Sequence, residues 1–177
     1  FKKNNYPIIL YVGKLSKGKG VDVLFKAHSL VLKKIPNAKL LICGNIYSKW
    51  QYDKDNTIFL GFVDQNQLNY IYENSNIVVV PSTWPEPLGW STIDAGRHSK
   101  PIVATNVGGI PEAVINNKTG ILVEKLDHIN MGKAILKILQ NKILSKKFGN
   151  AASKHIFKEF GYRSVSRQLK DLYSTFS

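Results

Sequence analysis

The chain has 177 residues, of which 44% are hydrophobic, and this is enough for one ordinary globular core. It carries 25 Lys and Arg against 12 Asp and Glu, a formal net charge of +13. Such an excess favours any polyanion, whether nucleic acid, an anionic lipid leaflet or a phosphorylated small molecule. The basic residues are scattered along the chain, and no sequence signature of a nucleic-acid-binding module is present. We therefore expect no nucleic acid partner.

Four further features of the sequence limit the expected compartment and chemistry. No apolar run approaches the roughly 18 to 20 residues that cross a bilayer, so no membrane span is predicted. The single cysteine, Cys43, has no disulfide partner and fits a reducing compartment. The four histidines are not at metal-ligand spacing, so we expect no metal site. The first residue is Phe1, and a strand is predicted within about ten residues, which leaves no room for a signal peptide. We expect an excised piece of a cytoplasmic protein.

Six short apolar runs alternate with segments of helical period or length, and they predict β-strands at 7–12, 39–43, 57–63, 77–80, 101–105 and 120–123. The first intervening segment predicts an amphipathic helix, with apolar side chains at Val21, Leu24, Ala27, Val31 and Ile35. Because the runs are apolar at both alternating positions, helices should cover both faces. The pattern predicts an α/β fold, a Rossmann-like doubly wound parallel sheet that binds ligands at the carboxyl ends of its strands.

The chain after residue 123 is predicted to be helical and to end in a closing helix over 162–177. Its apolar stripe consists of Val165, Leu169, Leu172 and Phe176. Such a helix can pack on this sheet or reach another domain. We expect one domain over residues 1–177.

A glycine-rich loop with three lysines follows the first strand, from Gly13 to Gly20. Backbone N–H groups and a helix N-terminus, with lysine charges added, suit a phosphate or diphosphate. Gly20 stands where a triphosphate-binding loop has the Ser or Thr that ligates magnesium, so a triphosphate hydrolase is not expected. The alternative is a plain glycine turn with lysines that face solvent.

A pair of carboxylates follows the fourth strand. Gly89 and Trp90 are predicted to start a helix after Pro87, with Asp94 one turn into it and Glu86 in the loop ahead. Carboxylates accept hydrogen bonds from vicinal hydroxyls, as in sugars and riboses. In the alternative interpretation, Glu86 is a solvated loop residue and Asp94 interacts only with the helix dipole.

Backbone groups and aromatic residues of the same segment add to the prediction. The N–H groups of Leu88, Gly89 and Trp90 lie at the predicted helix start, where they can donate to hydroxyl or phosphate oxygens. We expect Trp84 and Trp90 to pack within the protein rather than to stack on a ligand. A third loop, residues 107–112, has paired glycines before a proline, which predicts a tight turn with free N–H groups at the same edge, or else a plain turn.

These three loops, in this order and spacing, resemble the C-terminal domain of family 4 retaining glycosyltransferases of the two-Rossmann-domain (GT-B) fold. The run Gly13-Lys14-Leu15 followed by Lys19-Gly20 is similar to the family's Gly-Arg-Leu loop that closes in Lys-Gly. Phe59-Leu60-Gly61-Phe62-Val63 matches a run that precedes a short helix, and Glu86 and Asp94, with seven residues between them, match the signature acid pair. The resemblance covers nearly the whole chain, including its closing helix.

The resemblance implies the donor-binding half of an enzyme that transfers a sugar from a UDP-, GDP- or ADP-sugar, with no cofactor and no metal. Lys14 and Lys19 would stabilise the diphosphate leaving group, and Glu86 would hold hydroxyls of the donor sugar. These three residues are the predicted catalytic set. Asp94 would accept from the ribose, and the main chain at Leu88, Gly89 and Trp90 would contribute donors. The nucleotide would further contact a set of loop residues: Gly13, Gly44, Phe62 and Val63.

The basic surface suggests, as a hypothesis, an acceptor that is lipid-linked or a polysaccharide. The resemblance also implies an N-terminal acceptor domain beyond this chain. The fragment alone is then expected to bind without transferring. Peripheral association with the anionic inner face of the membrane is a further hypothesis.

Two residues depart from the family pattern, because Lys14 replaces the usual Arg and Asp94 the usual Glu. One alternative is therefore a degenerate, non-catalytic nucleotide-binding domain. A basic module for nucleic acid or anionic membrane, and a phosphate-binding Rossmann domain of another enzyme such as an epimerase, are the others.

Overall fold

The computed structural model describes residues 6–45 and 52–176. Its sheet has six strands, β1 Ile8–Val12, β2 Lys39–Cys43, β3 Thr57–Gly61, β4 Ile77–Val80, β5 Ile102–Thr105 and β6 Gly120–Val123. All six strand predictions are confirmed to within two residues. The third strand ends earlier than predicted because Gly61 adopts a positive φ of 66° and turns the chain out of the sheet.

Helices connect and follow the strands, and within the described residues they are α1 Val21–Leu32, α2 Gln65–Asn74, α3 Trp90–Arg97, α4 Ile110–Ala113, α5 His128–Leu139, α6 Lys142–Glu159 and α7 Tyr162–Ser174. The predicted helix starts at Val21 and Trp90 are confirmed. The start of α2 is fixed by a capping box, in which Asp64 accepts from the Gln67 N–H and the Gln67 side chain accepts from the Asp64 N–H.

All strand pairs are parallel, in the order β3-β2-β1-β4-β5-β6. The chain builds the sheet outwards from β1 in one direction and then outwards from β4 in the other. The order therefore reverses between β1 and β4, and in such sheets a crevice opens at the carboxyl ends of these two strands. The predicted Rossmann-like doubly wound sheet is confirmed.

The core lies on both faces of this sheet. Alternate side chains of β1 point to opposite sides, with Ile9 in the cluster that α1 and α5 cover and Leu10 in the cluster that α2 and α3 cover. Both residues are fully buried. The apolar character at successive positions of the strands thus has the predicted cause, since each face is packed under helices.

The closing helix α7 lies outside this core. None of its described side chains is buried, and it contacts α6. Its apolar stripe is open to solvent, with Val165, Leu169, Leu172 and Phe176 exposed by 42%, 48%, 53% and 82%. Within this chain the stripe therefore does not pack on the sheet. No helix in the described part of the chain has the length and apolar character needed to cross a membrane.

Candidate active site

The lysine loop, residues 13–20, and the acidic loop, residues 81–89, follow β1 and β4 and therefore meet at the crevice. Gly20 ends the lysine loop with a φ of 67° and caps α1, a conformation that glycine adopts without steric cost. A Cβ at this position would overlap the carbonyl oxygen of Pro81. The Ser or Thr of a magnesium-binding phosphate loop has no room here, which is consistent with the exclusion of a triphosphate hydrolase.

Hydrogen bonds join the two loops into one unit. The carbonyl oxygen of Gly18 accepts from the N–H groups of Thr83 and Trp84, at 2.9 and 3.0 Å. The Thr83 hydroxyl also donates to the Lys17 carbonyl oxygen at 3.0 Å. Segments more than 60 positions apart in sequence therefore hold each other in place.

The two loops bring Lys19 and Glu86 into direct contact. Lys19 Nζ donates to Glu86 Oε1 at 2.6 Å, and Ser82 Oγ donates to the same oxygen at 2.7 Å. Glu86 is only 9% exposed, whereas the Lys19 side chain is 39% exposed. A carboxylate in such a setting is stabilised by charge-assisted hydrogen bonds. The alternative interpretation of Glu86 as a solvated loop residue is therefore wrong.

A cleft of about 400 Å³ surrounds this ion pair, within the size range of small-molecule sites. Residues of β1, both loops and α3 line it, among them Tyr11, Gly13, Lys14, Lys19, Ser82, Glu86, Gly89, Trp90 and Asp94. The structure thus brings together all three residues of the predicted catalytic set and four further predicted binding residues. The roles of these residues stay predictions. Their location in one cleft is observed in the structure.

Asp94 lies in α3, one turn after Trp90, and lines the same cleft. Burial raises the pKa of its carboxyl, and the charges of Arg97 and His98 offset this only in part. Arg97 Nη1 is 3.9 Å from Asp94 Oδ1. The side chain is 29% exposed, so a ligand in the cleft can reach it.

The start of α3 presents backbone donors, as predicted. Within the described residues, the N–H groups of Leu88, Gly89 and Trp90 donate to no backbone carbonyl. Gly89 has a φ of 67°, and this turn directs the chain from the acidic loop into α3. The Leu88 side chain itself is not part of the cleft and packs in the cluster around Ile93.

The third loop, residues 107–112, supports the acidic loop from outside the cleft. The Gly109 N–H donates to the Glu86 carbonyl oxygen at 2.7 Å. A Cβ at Gly108 would overlap the backbone of Glu86, and a Cβ at Gly109 would overlap that of Pro87. The prediction of free N–H groups in this turn is therefore wrong for Gly109. Its glycines allow two backbones to pack closely.

A second cavity, of about 300 Å³, adjoins the cleft and shares Gly13 and Lys14 with it. It contains three more predicted contacts, Gly44, Phe62 and Val63. Phe62 is 84% exposed, so its ring and main chain are open to a ligand. The two cavities thus adjoin along a shared wall, and we call them together the groove.

Gly44 has a structural role in this groove. Its φ is 148°, its N–H donates to the Gly61 carbonyl oxygen at 2.8 Å, and a Cβ would overlap the Gly13 carbonyl oxygen. Any side chain at Gly44 would therefore displace the start of the lysine loop.

The two tryptophans of the acidic segment are not packed in the protein. Trp84 is 67% exposed and Trp90 is 73% exposed. The prediction that they pack is wrong because Trp84 lies on the solvent side of the acidic loop and Trp90 is the first residue of α3, at the rim of the cleft.

Among the cleft residues that the sequence did not predict, two form hydrogen bonds with predicted site residues. The Tyr11 hydroxyl donates to the Lys14 carbonyl oxygen at 2.8 Å, and Ser82 contacts Glu86 as described. Burial, and next the charge of Glu86, raise the pKa of Tyr11, so its hydroxyl stays protonated. The available signals were a tyrosine near the end of an otherwise aliphatic strand and a serine directly after a strand end.

A larger cavity, of about 710 Å³, lies at the opposite edge of the sheet. Its lining includes Pro7, Asn76 and Pro101, which precede β1, β4 and β5, together with lysines but no carboxylate. Ligands of doubly wound sheets bind at the carboxyl ends of the strands. The smaller cleft with the ion pair is therefore the candidate active site.

Comparison with known proteins identifies the family of the chain. Residues 1–155 match the family model of glycosyl transferases group 1. The chain is 29% identical to the capsular polysaccharide biosynthesis glycosyltransferase CapM of Staphylococcus aureus, over 98% of this chain and 47% of CapM. It thus spans about half the length of the curated relatives it matches.

Solved structures share the fold. A sucrose-phosphate synthase from Thermosynechococcus elongatus superposes with a TM-score of 0.84 and 28% identity, over 97% of this chain and 46% of that protein. The C-terminal domain of the group 1 protein LpcC from Francisella tularensis superposes with a TM-score of 0.78 and 22% identity, over 88% of this chain and 87% of that domain. The family model and these structures confirm the resemblance to the C-terminal domain of a GT-B protein. The chain belongs to the family of glycosyl transferases group 1.

Proposed function

We propose that this chain is the donor-binding half of a retaining glycosyltransferase that uses a nucleotide diphosphate sugar. The observation that carries the proposal is the Lys19–Glu86 pair, a cation for phosphate and a carboxylate for hydroxyls, held 2.6 Å apart in a cleft at the strand-order reversal. A phosphate next to a polyhydroxylated ring is the ligand chemistry that such a pair fits.

The leaving group is stabilised by positive charge. When the bond between the sugar and the diphosphate breaks, its electron pair stays on the phosphate oxygen. Lys14 and Lys19 line the cleft and neutralise the charge that develops there. Neither a metal nor a cofactor is part of the proposal. Glu86 meanwhile holds sugar hydroxyls and so fixes the ring relative to the bond that breaks.

The nucleoside spans the cleft and the adjoining cavity. Its base lies against the main chain at Phe62 and Val63, next to Gly44, and its ribose donates to Asp94. The shared wall of Gly13 and Lys14 then runs along the diphosphate. Because the base meets mostly backbone, this arrangement accommodates a uridine, guanosine or adenosine nucleotide.

The acceptor binds to a separate N-terminal domain, so this chain alone binds the donor without transferring its sugar. A lipid-linked or polysaccharide acceptor is proposed, with the enzyme working in the cytoplasm. Its basic surface would favour docking on the anionic inner face of the membrane. Sedimentation of the whole enzyme with anionic vesicles tests that docking, and failure to sediment would contradict it.

Calorimetry with UDP, GDP, ADP and their glucose and mannose derivatives tests the donor site. We expect one nucleotide series to bind with a Kd in the roughly micromolar to millimolar range. Lys19→Ala should weaken binding at least about tenfold, or about 1.4 kcal/mol, because it removes a phosphate partner and leaves the Glu86 charge uncompensated.

Lys33→Ala is the matched control for that experiment. It removes the same charge from an exposed lysine at the far end of α1 and should leave the affinity unchanged. The absence of binding for all three nucleotide series would overturn the proposal. Equal losses for the two lysine variants would show nonspecific attraction to a basic surface instead.

A further inference from the structure

The carboxylate of Glu86 is held by the protein through one of its two oxygens. Oε1 accepts from Lys19 Nζ and from Ser82 Oγ. Within residues 6–45 and 52–176, Oε2 accepts from no group, and it is not among the buried unpartnered side-chain atoms. It therefore keeps some accessible surface, in a side chain that is only 11% exposed. Oε2 is the oxygen that a ligand in the cleft can use.

The two donors to Oε1 differ in how firmly they are fixed. The Lys19 side chain is 39% exposed and has a flexible four-carbon stem. Ser82 is 2% exposed. Its carbonyl oxygen accepts from the Thr105 hydroxyl at 2.6 Å, and Thr105 is fully buried at the end of β5. A buried chain of hydrogen bonds thus runs from β5 through Ser82 to Glu86.

A diphosphate in the cleft competes with Glu86 for Lys19, because one ammonium group then serves two anions. The Lys19–Glu86 contact loosens as the ammonium turns towards phosphate. The Ser82 hydroxyl is less open to such competition, because the residue lines the cleft but is only 2% exposed and already donates its proton to Oε1. It remains the fixed donor to Oε1 in the loaded site.

We propose that Ser82 is a positioning residue, which holds Oε1 of Glu86 so that Oε2 faces the hydroxyl groups of the donor sugar. The inference rests on the proposed function. It adds a residue that affects binding of the sugar part of the donor and not binding of the nucleotide part. A free nucleoside diphosphate has no sugar hydroxyls beside Glu86. Loss of the Ser82 hydroxyl should therefore lower the affinity for the sugar nucleotide and leave the affinity for the nucleoside diphosphate nearly unchanged.

Calorimetry on the parent and the Ser82→Ala variant tests this with UDP and UDP-glucose, or with the corresponding pair if another base or hexose binds best. We expect the affinity for the sugar nucleotide to fall about tenfold, as for loss of one hydrogen bond to a charged group. The affinity for the nucleoside diphosphate should stay within about twofold. The ratio of the two affinities is the readout, because a general loss of structure would lower both.

Ser75→Ala is the matched control. Ser75 is 4% exposed and its hydroxyl donates to the Tyr72 carbonyl oxygen at 2.9 Å, at the opposite edge of the sheet. This variant also removes one buried hydroxyl and one hydrogen bond, and it should leave the affinity ratio unchanged. Thr105→Val gives a second route if Ser82→Ala folds poorly, and it should change the ratio in the same direction by a smaller factor.

Two outcomes would overturn the inference. If Ser82→Ala lowers the affinity for both ligands equally, the serine has a purely structural role. No change in either affinity would show that Glu86 is oriented without it. If the parent protein binds no nucleotide, the proposed function itself is refuted. If the parent binds the sugar nucleotide no more tightly than the nucleoside diphosphate, the proposed role of Glu86 is refuted.

Discussion

The Lys19–Glu86 pair shows how a single contact prepares a site for a ligand with two kinds of groups. Both charges are partly removed from water, so neither can lose its partner without a replacement. A diphosphate replaces the carboxylate at Lys19, and hydroxyl groups replace the ammonium at Glu86. A ligand that offers only one of these leaves the other charge poorly compensated.

Asp94 carries a cost in stability that its proposed role in binding explains. Burial raises the pKa of this carboxyl, so the folded protein holds the proton more tightly than the unfolded chain does. In the unfolded chain an aspartate has a pKa of about 3.9. The charged form therefore lowers stability as the pH rises from that value through the higher pKa of the folded state.

We predict that Asp94→Asn raises Tm at pH 7, because it removes the poorly solvated charge. The gain should shrink as the pH is lowered to about 3, below the unfolded pKa of about 3.9, where the carboxyl is mostly protonated in both states. Thermal unfolding between these pH values measures it, with Asp171→Asn, an exposed residue of α7, as the control for the change in charge. The same variant should bind the nucleotide more weakly. A lower Tm at pH 7 would show that the contact with Arg97 outweighs the cost of burial.

At the residue scale, sequence and structure agree on the residues whose spacing is local. Glu86 and Asp94 could be found because they flank one predicted helix start, and Lys19 because it lies in a glycine-rich loop. Ser82 and Tyr11 were missed although their contacts with Glu86 and Lys14 are local, because a serine after a strand and a tyrosine within one are weak signals. Only the hydrogen bond from Thr105 to Ser82 depends on how the strands are arranged in the sheet. The exposure of Trp84 and Trp90 was missed because hydrophobic residue type favours burial only on average.

Four loops at the carboxyl edge of the sheet interlock at positions where only a glycine fits. Gly20 packs on the carbonyl of Pro81, Gly44 on that of Gly13, and Gly108 on the backbone of Glu86. Each of these contacts joins a different pair of chain segments at the carboxyl edge of the sheet. The cleft is thus shaped by close backbone packing, and this keeps the charged side chains at fixed separations.

Elements could be predicted where the period of apolar residues is clear, and less well where a single residue redirects the chain. The six strands follow from their apolar runs, but the end of β3 depends on the left-handed conformation of Gly61. The sequence predicted the fold class, a doubly wound parallel sheet, but not the order of the strands within it. Pairing of β1 with β4 across a separation of more than 60 residues has no local signal.

The helix α7 is predicted to be dispensable for the folding of this chain. None of its described side chains is buried, so deletion of residues 162–177 removes little buried apolar area. Tm should change by less than about 2 °C, whereas loss of a core element would lower it several-fold more. Thermal unfolding of the shortened chain measures this. A large fall in Tm would show that the contact between α7 and α6 is part of the core.

At the scale of the molecule, the charge and the cleft are separate features. The net charge of +13 is spread over the chain, whereas the cleft combines lysines with two carboxylates. A general attraction for polyanions needs only the net positive charge. Selective binding of a sugar nucleotide needs the cleft, because Glu86 and Asp94 repel a plain polyphosphate and accept hydrogen bonds from hydroxyl groups.

The dependence of binding on salt separates these two features. A protein that neutralises many phosphates of a nucleic acid loses about 10³ to 10⁵ in affinity between roughly 50 and 200 mM salt. A nucleotide diphosphate in the cleft has few charges and meets them at fixed lysines, so we expect a loss of less than about tenfold over the same range. Titration of the preferred nucleotide sugar at several salt concentrations measures the slope, with single-stranded nucleic acid as competitor. A steep slope together with displacement by the competitor would favour the basic binding module, because a pocket that reads hydroxyls is not emptied by a polymer that cannot enter it.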